Sequence, residues 1–402
     1  MTQIETVADW LTVESAISLG LLLIQVPATA VLLSRLLKGP SRHPPIEPRS
    51  ATPELLGSVS VVVPTLNEAD RISPCLAGLT QQSYEVREMT IVDSNSQDGT
   101  PELVKAAQQK DPRFRLMTDD PLPTGWVGRP WALHNGFLHS SLRCEWILGM
   151  DADTQPNPGL VAGLVMTAQD KGYDLVSLSP QFILKYPGEC WLQPALLMTL
   201  LYRFDSAGVN AQTAERVMAN GQCFLCRRSV LAQVGGYTSA RSSFCDDVTL
   251  ARNIAAQGFK VGFLDGAKVL KVRMYEGAAQ TWKEWGRSLD LKDASSTAAL
   301  WGDLWLLMSV QALPLLVVLT YLFISPPLTL SPSPPLLLLG LNLFLLTIRF
   351  ALLFAIAPSY DRTHATAGWL FWLSPLADPL AVLRIFLSAF RTPTQWRGRS
   401  YG

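Results

Sequence analysis

Two runs near the C-terminus constrain this chain more than any other feature. Leu304 to Ile324 is apolar apart from Ser309, Gln311 and Thr320, and Leu336 to Ala357 holds one charge, Arg349, among a few polar residues. About 20 apolar residues span the roughly 30 Å hydrocarbon core of a bilayer, where each backbone polar group must be satisfied within its own segment. Both runs are therefore expected to be transmembrane helices, and the uncharged connector SPPLTLSPSPP (325–335) suits a loop on the non-cytoplasmic side. Gly368 to Phe390 is less regular: SPLADPL brings two prolines and Asp378, followed by Arg384. Proline interrupts the helical ladder and a charge in hydrocarbon needs a partner. Two full crossings return the chain to the cytoplasm, where Arg391, Arg397 and Arg399 of the tail (391–402) belong. Residues 299–390 thus read as two transmembrane helices plus a re-entrant or third segment.

A further run, Ile17 to Leu33, is near the lower limit for a crossing. Glu5, Asp9 and Glu14 precede it, whereas a cleavable signal would begin with basic residues. Arg35, Lys38, Arg42 and Arg49 follow it. The positive-inside bias then places residues 1–15 outside, a signal anchor at 16–35 and the rest of the domain in the cytoplasm; a core helix is the competing reading. The chain has 402 residues, no formal net charge and 16% charged residues, below the roughly 25% of ordinary globular proteins. No basic excess points to nucleic acid. Cys223 and Cys226 form a lone CxxC without a second pair or a nearby His, and a zinc site needs about four ligands. They read as small core residues in a reducing compartment.

Between a linker (36–57) and the C-terminal membrane region lies a domain of soluble character, 58–298. Ser58–Val63, Met89–Val92, Arg113–Met117 and Trp146–Met150 read as strands. Helices are expected to start within PTLNEADRI, with Asn67 or a neighbour as cap and Glu68 in the first turn, and to cover Pro101–Gln109. Such alternation predicts an α/β fold with a doubly wound, mostly parallel sheet, in which ligands gather beyond the carboxyl ends of the strands. The loops PTLNE, DSNSQDGT and DADTQP all follow strands and can share one crevice. No GxGxxG follows the first strand and no GxxxxGK[ST] occurs, so neither a dinucleotide site nor a P-loop is supported. Asp151 and Asp153 sit one residue apart where an apolar strand stops. Hard carboxylate oxygens there suit Mg2+ or Mn2+, with water and phosphate filling the other positions; capping a turn is the competing reading.

The segments VSVVVPTLNE (59–68), IVDSNSQDGT (91–100), DAD (151–153) and CDDVTLARNIAAQG (245–258), in this order, resemble the inverting family-2 glycosyltransferases of GT-A fold. Gly125, Trp126, Gly128, Arg129 and Trp131 in TGWVGRPWALHNG (124–136) resemble the signature of a membrane subgroup acting on hopanoid or carotenoid lipids. The resemblance implies a UDP- or GDP-sugar donor and a lipid-soluble acceptor. It implies Asp153 as metal ligand and Asp151 as a ribose or metal-water contact. Pro64, Glu68 and Asp93 would hold the nucleoside, with Ser94 standing where the family often has a second Asp, and Arg129 would face the diphosphate. Asp247, beside Asp246, matches the catalytic base, although both could simply favour the start of a helix. Gly221 and Gln222 would line the acceptor side. Trp282, Trp285 and Arg287 give only an approximate QxxRW lid, which argues against a processive polymer synthase; interfacial anchoring of the Trp pair is the competing reading. Together these expectations describe a multi-pass enzyme of a bacterial plasma or thylakoid membrane with a cytoplasmic catalytic domain. A non-catalytic scaffold is the rival from another class.

Overall fold

Alternating β-branched residues dictate the centre of the structure. In strand β1 (Val59–Thr65), Val61 and Val63 enter one core layer with Ile72 and Leu79, while Val62 enters the opposite layer with Leu133 and Phe137. A strand buried on both faces belongs inside a parallel sheet. The computed structural model describes residues 2–211, 213–288, 295–324, 333–390, 395–396 and 399–400; side chains are described over 13–285 except 212, over 295–323 and over 333–390.

The strands that follow are β2 (Val86–Asp93), β3 (Phe114–Thr118), β4 (Trp146–Met150), β5 (Thr154–Pro156), β6 (Leu175–Ser179) and β7 (Gln181–Ile183). Then come β8 (Cys223–Arg227), β9 (Val261–Asp265), β10 (Leu270–Val272) and β11 (Tyr360–Asp361). Seven of them form the main sheet in the order β3-β2-β1-β4-β8-β6-β9, and only β8 runs antiparallel to its neighbours. A second sheet, β11-β7-β10-β5, joins the strand after the acidic pair to a residue pair just beyond the Leu336–Ala357 run. The expected doubly wound, mostly parallel sheet is what forms.

The helices of the domain are preceded by α1 (Thr2–Leu36) and comprise α2 (Ile72–Thr80), α3 (Thr100–Lys110), α4 (Gly128–His139), α5 (Leu160–Lys171), α6 (Pro187–Arg203), α7 (Arg228–Gln233), α8 (Asp246–Ala256) and α9 (Gly277–Ser288). The first of them corrects the sequence reading. It starts at Ile72, and Asn67 sits at φ 54° in the left-handed region instead of capping it. The other strand-end loop has captured the backbone there. The amides of Asn67, Glu68 and Ala69 donate to Ser96 Oγ (2.8 Å), Thr100 Oγ1 (2.9 Å) and Asp98 Oδ2 (2.9 Å), and Gln97 N donates back to Asn67 Oδ1 (2.9 Å). PTLNE and DSNSQDGT are thus one cross-linked unit.

The linker is a strap along the domain. His43, Ile46 and Arg49 donate their amides to the carbonyls of Gly208, Asp265 and Gly159, and Ile46 is buried. Gly159 is required there: its φ is +79°, and a Cβ would lie 2.7 Å from the Arg49 carbonyl oxygen.

Beyond the domain come α10 (Thr297–Leu307), α11 (Leu313–Ile324), α12 (Pro334–Ile356) and α13 (Asp378–Ala389). A π-helical turn, Met308–Ala312, connects α10 to α11 and accommodates Pro314, which cannot donate to the α-helical ladder. Among the described residues, four helical stretches are long and apolar enough to cross a membrane: Val13–Ser41, Thr297–Phe323, Pro334–Ser359 and Gly368–Ala389. The last is 3-10 helical to Ala377 and α-helical from Asp378, so its break falls where the prolines are. Most of the connector 325–335 and most of the arginine-bearing tail lie outside the described residues.

The charges in these apolar stretches do find partners. Arg349 of α12 donates to Asp378 through Nε (2.7 Å) and Nη2 (3.1 Å), and Gln311 Nε2 reaches the same carboxylate at 3.1 Å. Gln25 of α1 and Asn342 of α12 exchange side-chain hydrogen bonds at 2.9 and 3.0 Å. Polar side chains paired in this way hold apolar helices in register where the hydrophobic effect cannot. Helix α6, which the sequence reading did not foresee, packs against α9, α13 and Gly368–Ala377, joining the domain to the helical bundle.

Candidate active site

The acidic pair lies where β4 gives out, and the fold draws a second acidic pair to it. Antiparallel pairing of β8 with β4 sets the preceding residues, Asn220 to Gln222, beside Asp151, whose amide meets the Gln222 carbonyl. Helix α8 opens at Asp246, and Gly221 N donates to Asp247 Oδ2 at 2.6 Å. Asp247 Oδ1 accepts from Val248 N at 2.8 Å, so this residue both stabilises a helix start and faces the site.

Arg129, in the first turn of α4, ties the motifs together. Its Nε donates to Asp151 Oδ1 at 2.9 Å, its Nη1 pairs with Asp246 Oδ2, and its Nη2 donates to the Gly221 carbonyl at 2.8 Å. Burial disfavours its charge, but the carboxylates of Asp151, Asp246 and Asp247 outweigh burial and raise its pKa. The planar guanidinium presents its donors in a fixed fork, which a lysine ammonium does not. Where the resemblance implied a diphosphate contact, this structure has a clamp between the two acidic motifs.

Asp153 is half-buried, and its Oδ1, shielded from solvent, has no hydrogen-bond partner among the described residues. Burial, then the neighbouring Asp151, push its pKa upward; the charge of Arg71 pulls the other way. For Asp246 burial raises the pKa against the pull of Arg129, and for Asp247 burial also raises it. No three acidic, His or Cys side chains among the described residues form a ready-made metal cage. The unsatisfied oxygen of Asp153 beside Asp151 nevertheless fits a hard divalent cation that takes one or two carboxylates and completes its shell with phosphate oxygens and water.

A cavity of about 790 Å³ contains Arg129, Asp151, Asp153, Asp246 and Asp247 in its wall, together with Gly221 and Gln222. Leu197, Leu200 and Leu201 of α6 line the same cavity, as do Ile348, Leu352 and Ala355 of the apolar helix α12. A small cleft of about 50 Å³ shares Arg129, Asp151 and Asp153 with it and adds Pro64, Glu68 and Ser94.

Most expected site residues therefore converge. Asp93 is placed differently: its carboxylate accepts from Thr65 Oγ1 (3.0 Å), Ser96 N (2.9 Å) and Ser96 Oγ (2.6 Å), and it lines neither space. Ser94, its neighbour, does line the cleft. Trp285 is buried and borders the large cavity, whereas Trp282 packs in the helical bundle beneath Arg384. The side chain of Arg287 lies outside those described. Trp126, Trp131 and His134 form a ring cluster with centroids 5.1 to 6.0 Å apart and line neither space, so packing accounts for them. Arg71, three residues after Glu68 in the same loop, borders the large cavity and was not singled out from sequence.

A predominantly parallel sheet with acidic loops at its carboxyl edge defines the class, a GT-A fold. Residues 60–235 match the family model described as Glycosyl transferase family 2. The 4,4'-diaponeurosporenoate glycosyltransferase of Staphylococcus haemolyticus is 26% identical over 247 residues, 61% of this chain and 64% of that protein. Glycosyltransferase AglE of Haloferax volcanii is 27% identical over 185 residues, 44% of this chain and 55% of that protein. The match thus spans less than two thirds of the length of either relative. A solved mannosyltransferase from Pyrobaculum calidifontis, in complex with GDP-Man and Mn2+, has a TM-score of 0.51 at 19% identity, covering 91% of this chain and 99% of that one, and shows the fold.

Proposed function

We propose that this protein is an inverting glycosyltransferase that moves one sugar from a nucleotide-sugar donor to a hydroxyl of a lipid-soluble acceptor, a carotenoid foremost. One observation carries the reading: the carboxylates of both acidic motifs and the apolar faces of α6 and α12 border a single cavity. Its volume lies within the roughly 300–1,000 Å³ usual for ligand sites. A long apolar acceptor can keep its chain against α12 while its hydroxyl reaches Asp247.

Asp153, with Asp151, would hold Mg2+ or Mn2+, which offsets the charge that develops on the diphosphate as the sugar leaves. Pro64, Glu68 and Ser94 border the cleft for the nucleoside, and Asp93 shapes that cleft by fixing its own loop. Asp247 takes the acceptor proton as the hydroxyl attacks. Neutral backbone amides hold Asp247, whereas an arginine holds Asp246, so Asp247 is the freer base. Gly221 and Gln222 shape the acceptor side, and Trp285 closes part of the wall.

The cavity wall favours a neutral alcohol over a lipid phosphate. Seven carboxylates line it (Asp151, Asp153, Asp205, Asp246, Asp247, Asp265 and Glu284) against four arginines (Arg35, Arg42, Arg71 and Arg129). An anionic acceptor would enter against that field. The relative named for 4,4'-diaponeurosporenoate, a carotenoid carboxylate, supports the carotenoid class of the acceptor and not its hydroxyl. The basic residues after α1 lie in the strap on the catalytic domain, which supports a cytoplasmic domain and a multi-pass membrane protein.

The test incubates the full chain in membranes with radiolabelled UDP- and GDP-sugars and a panel of lipids. The panel holds a hydroxylated carotenoid, a hopanoid, a ceramide, a diacylglycerol and a polyprenyl phosphate. One lipid-extractable glycoside, formed on the carotenoid and absent with Asp247→Asn, is expected. A ladder of products would indicate a polymer synthase, and no label in any lipid would remove the reading.

A further inference from the structure

The arginine expected to meet the diphosphate already has three of its five N–H donors committed. Arg129 spends its fork on Asp151, Asp246 and the Gly221 carbonyl. A leaving diphosphate still needs cationic donors in addition to any metal ion, because its charge rises as the sugar departs. Arg71 meets the requirements. It borders the large cavity together with Asp151 and Asp153. Its charge acts on Asp153, where it opposes the effect of burial. Among the described residues its guanidinium makes no hydrogen bond or ion pair.

Its backbone, by contrast, is firmly placed. The amides of Arg71 and Ile72 both donate to the Glu68 carbonyl at 2.9 Å, a turn that leads directly into α2. The preceding residues are fixed by the side chains of Ser96, Asp98 and Thr100. A rigid stem with an uncommitted guanidinium, beside carboxylates suited to a divalent ion, is how a phosphate-binding arginine is prepared.

We infer that Arg71 grips the diphosphate of the nucleotide donor, while Arg129 positions the carboxylates around it. This rests on the glycosyl-transfer reading above. Arg71 then stays on the released nucleoside diphosphate after transfer, so it contributes to product affinity as well as to donor affinity.

Titration calorimetry on the full chain in detergent micelles, with Mn2+ and either UDP or GDP, tests it. Arg71→Gln keeps the stem and removes the charge; it should weaken diphosphate binding about 10- to 100-fold, the usual worth of a charge-assisted contact. Arg71→Lys should recover a large part of that affinity, and both variants should melt at the temperature of the unaltered protein. Unaltered binding by Arg71→Gln overturns the assignment. Equal losses in both variants, accompanied by lower melting temperatures, overturn it too, since they would mark a structural residue. If the unaltered protein binds neither diphosphate, the glycosyl-transfer reading itself fails and this assignment goes with it.

Discussion

Gly221 N donates to Asp247 Oδ2 at 2.6 Å, and the carbonyl of the same glycine accepts from Arg129 at 2.8 Å. One backbone unit therefore fixes both the candidate base and the arginine that spans the acidic motifs. A Cβ on Gly221 would collide with Arg129 Nη2, which its other partners prevent from yielding freely.

Asp247→Asn should lower kcat by about 10²- to 10⁴-fold, the range for loss of a general base. Nucleotide binding in the presence of Mn2+ should be unchanged, because the amide retains the size of the side chain. Steady-state kinetics with the labelled donor, paired with calorimetry, check both halves. Undiminished turnover would assign the base elsewhere.

Arg129→Ala leaves Asp151 and Asp246 facing each other without their shared cation. Removing one partner from a buried charge cluster costs about 3–5 kcal/mol. The full chain should melt at a clearly lower temperature in detergent, and Arg129→Lys should restore only part of the loss. A variant as stable as the parent would show that the clamp is not structural.

Ala351→Phe places a ring where α12 borders the cavity. Acceptor KM should rise at least tenfold while donor KM stays constant, since about 1.4 kcal/mol of lost fit is a factor of ten. Kinetics with the two substrates varied in turn separate these outcomes. An increase confined to the donor would put the acceptor elsewhere.

Arg349→Leu strands Asp378 among apolar helices and should destabilise the protein by about 3–5 kcal/mol. The double variant Arg349→Leu with Asp378→Leu should recover most of that loss, because a buried ion pair exchanges for apolar packing at little cost. Thermal unfolding of the parent, of Arg349→Leu, of Asp378→Leu and of the double variant forms the cycle.

Much of this architecture was legible in the chain. β-branched runs located the first strands, and β4 begins and ends where the apolar run did, at Trp146 and Met150. Asp151, Asp153, Asp246 and Asp247 meet because each follows or precedes an element whose end lies at one sheet edge. What was hidden depends on tertiary partners. No local signal shows that Ser96, Asp98 and Thr100 seize the amides after β1, so the start of α2 was misplaced. Helix α6 carries Pro194 and several polar residues, which masked a segment stabilised by its neighbours. Asp378 was recognised as needing a partner, but only folding shows that Arg349 of α12 supplies it. Nor can sequence show that Arg129 commits three of its N–H donors to Asp151, Asp246 and the Gly221 carbonyl.

The central claim is that a membrane-held hydroxyl reaches Asp247 through the cavity between α6 and α12. Photo-crosslinking tests it most directly: a lipid-soluble alcohol with a diazirine beside its hydroxyl is reconstituted with the full chain in bilayers, and the labelled peptides are identified. Labels on Leu197–Leu201 and on the Asn220–Gln222 segment, suppressed by unlabelled acceptor, are predicted. Labels confined to outward residues such as Leu337 and Phe354, insensitive to competitor, would contradict it.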